Sequence, residues 1–329
     1  MGENGLKRKI TAVVLLIVFL FSAVGCGGKN RRSVGRCAGY EILYEELRYM
    51  TLSVRDSLAE RDGDGIWDAE ESAEAHRDEL EREVWARIAE DYAVLAAAAR
   101  YLPDRSVDDK DIQSAVDADI AEMRESVGGK SEFRKYLSAV YMTEHLLRFR
   151  LAAAQIESEL TDALAAGTEL ENADAFTAWL TDGNLVRVRQ VTVAADSEAA
   201  AETVRAALLG GATPEQAAEA ANALPNVSAA VTNAYYLVRG MAQDPTLEDD
   251  AFALRRTGDV SAVRQTEGGY RILVRAEDQT EAFLANQASA YLRRLRDLRI
   301  SALLEETSAS LSVERNDYGA GIDLLKIRP

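Results

Sequence analysis

The sequence predicts an α+β fold, a helical domain of N-terminal helices plus a C-terminal helix, with an α+β module inserted between them. Three observations carry this. Apolar residues recur at spacings of three and four from Gly39 to about Gly167, the period drops to two at Leu185, and a helical period returns from Thr280 to about Ser308. A helix with one apolar stripe must bury it against another helix, so the two helical stretches belong to one domain.

The chain opens with Lys7, Arg8 and Lys9, followed by Ile10 to Val24, apolar apart from Thr11 and Ser22. A membrane-spanning helix needs about 20 apolar residues, and this run is shorter, with the flanks of a cleavable export signal over 1–25. Ala23-Val24-Gly25-Cys26 resembles the lipobox of bacterial lipoproteins, although Ala23 stands where leucine is commoner. The resemblance implies that Cys26 is lipidated and that the protein sits on the extracytoplasmic face of the cell membrane, held there by its N-terminal lipid. An ordinary signal cleaved near Gly25, or an uncleaved anchor, is the alternative. Residues 26–38 are Gly-rich and basic at their start and read as a lipid-anchored tether.

The helical stretch divides at recognisable stops. Leu43, Leu47, Met50, Val54 and Leu58 form one stripe, ended by Asp62–Gly65. Leu80, Val84, Ile88, Tyr92, Leu95, Ala99 and Leu102 form the next, which stops before Pro103. Ser106 with Asp109 predicts a capped start for a helix through Ile112, Val116, Ile120 and Met123, closed by Gly128-Gly129. Ser131 and Thr143 are the expected caps of two further helices reaching about Ala166. Val186 to Val193 then alternates as a half-buried strand. An Ala-rich helix over Ser197–Leu209 follows, then a helix from Thr213, a loop with Pro225, a strand at Tyr235-Tyr236-Leu237, a helix over Leu247–Leu254 and a strand over Gly269–Val274. Leu284, Ala288, Tyr291, Leu295 and Leu298 stripe the final helix, and Leu311-Ser312-Val313 gives a short β-like tail.

Composition narrows the function. The formal charge is −17, and it becomes −19 once residues 1–25 (Lys7, Arg8, Lys9 and Glu3) are removed. So acidic a surface repels phosphate backbones, which excludes nucleic acid as a partner and reads as solubility. Cys26 and Cys37 are the only cysteines, so no disulfide framework forms, and Cys37 reads as a small buried side chain. His76 and His145 are the only histidines, both in charge-rich helical stretches with no triad context, and no Cys/His spacing suits zinc. No cofactor is expected, the calcium discussed below excepted.

Residues 184–277 resemble a parvulin-type peptidyl-prolyl isomerase domain. The resemblance rests on the strand Val186–Val193 and the Ala-rich helix ending Leu208-Leu209-Gly210-Gly211. It rests further on Arg239-Gly240-Met241, Asp250-Ala251-Phe252-Ala253-Leu254, Thr257-Gly258-Asp259-Val260-Ser261 and Gly268-Gly269-Tyr270-Arg271-Ile272-Leu273, in that order. The flanking helices, notably Gly39–Leu58 and Tyr136–Leu151, are similar to the chaperone-like domain of PrsA- and SurA-type foldases. The implied plan is a signal peptide (1–25), a tether (26–38), a helical chaperone-like domain (39–183), a parvulin-like module (184–277) and a C-terminal helix and tail completing the helical domain (278–329).

Prolyl isomerisation needs neither nucleophile nor metal, because the barrier of about 18–20 kcal/mol belongs to rotation about a partly double C–N bond. The resemblance implies a histidine on the first strand and another on the last, but Gln190 and Arg271 stand at those positions and 184–277 contains no histidine. The family's acidic or cysteine position falls near Pro225 or Asn226, neither of which can replace it. Met241, Leu247 and Phe252 fall near the positions of the apolar proline-ring pocket. Two readings stand, an active isomerase with Gln190 as hydrogen-bond donor, or a retained fold with weak or lost catalysis; the second is preferred.

Glu60 to Glu71 carries oxygen ligands at EF-hand-like positions, with Asp62, Asp64, Asp68 and Glu71 as candidate calcium ligands and Gly65 at the turn. Glu60 where aspartate is usual and Trp67 where an aliphatic is usual are departures, and a polar inter-helix turn is the preferred reading. The expected function is a membrane-anchored extracytoplasmic foldase or chaperone whose partners are unfolded or newly exported polypeptides. An active isomerase, or a non-catalytic scaffold or binding lipoprotein, are the alternatives.

Overall fold

The computed structural model describes residues 30–195 and 198–329; Cys26 and the expected signal peptide lie outside the described residues. In chain order, β1 (Ser33–Cys37) and β2 (Tyr40–Leu43) lead into α1 (Tyr44–Asp62), α2 (Glu70–Ala75), α3 (Arg77–Tyr101), α4 (Lys110–Ser126), α5 (Lys130–Ala139) and α6 (Glu144–Ala165). Next come α7 (Ala173–Trp179), β3 (Leu185–Ala194), α8 (Glu198–Leu209), α9 (Pro214–Asn222), β4 (Ser228–Val231), β5 (Tyr235–Val238), α10 (Pro245–Ala253), β6 (Arg264–Thr266) and β7 (Gly269–Arg275). The chain ends with α11 (Thr280–Asn286), α12 (Ala288–Ser310), β8 (Glu314–Arg315) and α13 (Asp317–Ala320). The fold is α+β, mostly helical, with antiparallel sheets. Described residues up to Leu164 join Ile300–Pro329 in one compact unit, and Ala165–Arg299 form a second.

The first unit is built on the predicted stripes. Leu47, Val54, Leu80, Val84, Ile88, Ile112, Val116 and Ile120 are all buried in one core with Phe133 and Ile156. That core also takes Leu324 and Ile327 from the C-terminal tail, which a stripe analysis of helices does not detect. Residues 33–37 correct the expectation of a tether reaching 38. They form the middle strand of a sheet ordered β2-β1-β8, with Val34 and Cys37 buried. Gly35 is there for close approach and not for flexibility, since a Cβ at that position would lie 2.5 Å from the Glu314 carbonyl oxygen. The β-like character expected at 311–313 is found at β8 instead. Helix α4 begins at Lys110, four residues after Ser106, because the Asp109 carboxylate accepts from the Ser106 amide at 3.1 Å and holds an irregular turn. Thr143 does cap α6, accepting from the Leu146 amide at 3.1 Å.

The second unit is a twisted antiparallel sheet ordered β4-β3-β7-β6, with β5 also paired to the long strand β3. Strand β3 can serve two partners on one edge because its first half pairs with β5 and its second with β4. Successive side chains alternate between faces. Val191, Val193 and Ile272 pack under α8 and α9, while Val186, Val188 and Leu273 face Ala251 of α10 and Leu254 just after it. Thr213 opens α9 with a full capping box to Gln216. Strands β4 and β6 were not expected; they are short, and Ser228-Ala229-Ala230 lacks the β-branched residues that mark strands. The expected single helix from Thr280 breaks at Gln287 into α11 and α12.

Candidate functional site

The residues expected to do chemistry gather on the α10 face of the second unit's sheet. In the β3–β7 register Gln190 lies opposite Leu273 and Thr192 opposite Arg271. The apolar row Val186, Val188 and Leu273 therefore continues into a polar row of Gln190, Thr192 and Arg271. Each of these groups is already engaged. The Gln190 side-chain amide donates to Thr192 Oγ1 at 3.0 Å, and its Oε1 accepts from the Tyr235 hydroxyl at 3.3 Å. Its backbone N–H donates to Thr232 Oγ1 at 2.9 Å.

Arg271 is 6% exposed. Its guanidinium donates to Asp244 Oδ2 at 2.6 Å and to Thr246 Oγ1 at 3.1 Å, while its Nε is buried without a hydrogen-bond partner among the described residues. Asp244 is also the N-cap of α10, accepting from the Thr246 amide at 2.9 Å, with Pro245 as the first helical residue. Hydrogen bonds from Arg271, then from Thr246, hold the Asp244 carboxyl well below the usual carboxylate range. One guanidinium thus clasps the start of α10 to the last long strand. Burial pushes the Tyr235 hydroxyl up.

The expected apolar wall does not assemble as one surface. Leu247 and Phe252 pack with Val188, Leu254 and Leu273. Met241 instead packs with Val238, Phe283 and Leu295, in a separate cluster. The Arg239 guanidinium lies 4.2 Å from the Phe252 ring centroid, over its face. Glu248 holds the 240–242 loop by accepting from the amides of Gly240 and Ala242. Pro225 and Asn226 are exposed in the turn before β4, with Asn226 at φ 59°.

The expected calcium loop is organised around arginine. Asp62 and Glu79 both accept from Arg61, Asp64 starts a short 3₁₀ turn through Trp67, and Glu71 sits in the first turn of α2. Asp68 follows the turn, with Oδ2 close to Gly65. Among the described residues no group of three or more His, Cys, Asp or Glu side chains is disposed to hold a metal ion.

Sequence reasoning missed Asp244, Thr246, Tyr235 and Thr192. The signal for the first two was present: Asp244-Pro245-Thr246 is an N-cap followed by proline at the first helical position. The first unit carries an open groove of about 470 Å³ between α3 and the chain around β8, walled by Trp85, Ala86, Ala89, Leu311, Val313 and Arg315. No helix among the described residues is long and apolar enough to cross a membrane.

The PrsA peptidylprolyl isomerase of Bacillus anthracis is 15% identical over 69% of this chain and 94% of its own, with a TM-score of 0.40. PrsA of Bacillus cereus is 14% identical over 90% of this chain and 99% of its own, at 0.39. A SurA-like chaperone structure from Campylobacter jejuni, described with PEB4 and Cj1289, is 14% identical over 72% of this chain and 89% of its own, at 0.27. The chain is structurally similar to PrsA foldases and SurA-like chaperones. No family model and no curated protein matches it. At such identities and scores, the chemistry of the site rests on this chain's own side chains.

Proposed function

We propose that the protein is an extracytoplasmic foldase or chaperone for exported polypeptides, anchored through a lipidated Cys26, whose parvulin-like module has weak or lost isomerase activity. The observation that carries the reading is the Arg271–Asp244–Thr246 clasp. A prolyl isomerase needs polar groups free to favour a twisted amide and an apolar pocket for the ring. Here the cation at the family's second histidine position is bound to the chain itself, and the Gln190 amide is turned to Thr192. Apart from Arg271 Nε, the groups of this row are bonded to one another, and a substrate that engages those groups must break bonds already made. Client binding then falls to the helical unit, where the groove beside Trp85 offers an apolar wall.

Suppression of aggregation of a reduced, unfolded client tests the reading. The full chain is expected to suppress it in proportion to its concentration, and Ala86→Glu, an exposed helix position on the groove, to weaken that effect without unfolding the protein. A chain that suppresses nothing would favour the scaffold alternative.

A further inference from the structure

We propose that the cavity between α1 and α6 of the first unit binds a primary alkylammonium group, the chemistry of a lysine side chain or of a free diamine. The cavity holds about 200 Å³. Exposed Glu41 and half-exposed His145 stand at its mouth, Leu43, Leu146 and Phe149 form apolar wall, and Glu46 and Tyr92 lie deepest. Glu45 lines it too, but its carboxylate is engaged by the Thr143 hydroxyl at 2.6 Å and by His145 Nδ1 at 2.5 Å.

Glu46 is the informative residue. It is 4% exposed; its Oε2 accepts from the Tyr92 hydroxyl at 2.9 Å, and its Oε1 is buried with no hydrogen-bond partner among the described residues. A buried carboxyl oxygen without a partner is costly, and side-chain relaxation toward a donor in the adjacent cavity relieves that cost. The surroundings select the donor's charge. Glu41 and Glu45 add carboxylates to the lining, Glu46 becomes a further negative group once a cation displaces its proton, and the Tyr92 and Phe149 rings, with centroids 5.5 Å apart, line the cavity as well. The side chains are not disposed to hold a metal ion. Leucine and phenylalanine walls instead suit the methylenes that precede an ammonium.

Titration gives the site a signature. The charged or titratable groups around Glu46 are Glu45 on its own helix, Cys37 of β1, Glu41 of β2, Asp91 and Tyr92 of α3, and His145 and Arg150 of α6. Burial is the largest influence and pushes the Glu46 carboxyl up to about 8. A cation bound beside it displaces its proton, so affinity rises with pH, up to about tenfold per unit, and levels off above about pH 8.

Calorimetric titration of the full chain with n-butylammonium chloride, against 1-butanol as the neutral molecule of the same size, tests the proposal. Expected are saturable binding of the cation, at least about tenfold weaker binding of the alcohol, and an affinity that climbs from about pH 6 to about pH 8. Glu46→Gln, isosteric with the neutral acid, should abolish the pH dependence and weaken binding about tenfold or more. Equal binding of cation and alcohol, or no saturable cation binding at the upper pH, overturns the proposal even if the variant fails to fold. Repeating the titration with 1,5-diaminopentane and with an extended, N-blocked lysine peptide identifies the source, since whichever binds tighter carries the natural chemistry. The site stands apart from the isomerase question, and its failure would leave the clasp at Arg271 untouched.

Discussion

Two polar clusters in this protein solve burial differently. On the sheet of the second unit, Arg271, Asp244, Thr246, Gln190, Thr192 and Tyr235 bond to one another. In the first unit, burial dominates Glu46, so its carboxyl is pushed up to about 8, and a small cavity opens beside it. The contrast teaches that burial of polar groups is met by mutual hydrogen bonding in one cluster and by a shifted protonation equilibrium in the other. Gln190 and Arg271, at the positions the sequence resemblance marks, both bond to neighbouring side chains.

Substitutions that open the closed cluster should have the largest effects. Asp244→Ala removes both the partner of a 6%-exposed guanidinium and the cap of α10, and is expected to cost about 3–5 kcal/mol in urea unfolding. Arg271→Met leaves a half-exposed carboxylate that water can reach, so its cost should be smaller, about 2 kcal/mol. The reverse order would mean that the clasp is not what holds α10 to the sheet.

The two clusters should also differ in pH dependence. The raised Glu46 carboxyl binds its proton more tightly in the folded state. Its contribution is fully present below its unfolded value near pH 4.3 and is lost as pH rises towards about 8, at up to about 1.4 kcal/mol per unit. The depressed Asp244 carboxyl acts with opposite sign, contributing above its unfolded value near pH 3.9 and losing that contribution in acid. Glu46→Gln should therefore flatten the stability profile between about pH 5 and pH 8, and Asp244→Asn should flatten it below about pH 4. Unfolding midpoints measured across that range check both signs.

A smaller effect is expected at Gln190. Gln190→Ala loses one donated and one accepted side-chain bond and should cost about 1–2 kcal/mol, read from the same urea curves.

Much of the architecture was legible in the residues. The change of period at Leu185 marks the start of β3 itself, and the stripes through Leu47, Val84 and Ile112 are the buried faces of three helices. What escaped was long-range or disguised. Gly35 reads as tether but serves close strand approach, and β8, which completes that sheet, lies almost three hundred residues away in sequence and only two residues long. Arg271 stands out only through the resemblance, at the position of the second histidine, and its pairing with Asp244 is hidden because a helix, a loop and a strand lie between them. Met241 and Leu247 are six apart in sequence yet belong to different cores, a separation that spacing does not reveal. The burial of Glu46 was equally hidden, because an acidic pair in the first turn of a helix is ordinarily read as helix-dipole complement.

The proposed function gives the parvulin-like module weak or lost isomerase activity. Its most direct test is the cis–trans relaxation of a proline tetrapeptide, which takes tens to hundreds of seconds at about 25 °C uncatalysed, in the presence of the full chain and of Gln190→Ala. The account predicts little or no acceleration by either, with Gln190→Ala altering stability more than rate. A robust acceleration by the full chain that Gln190→Ala abolishes would contradict it.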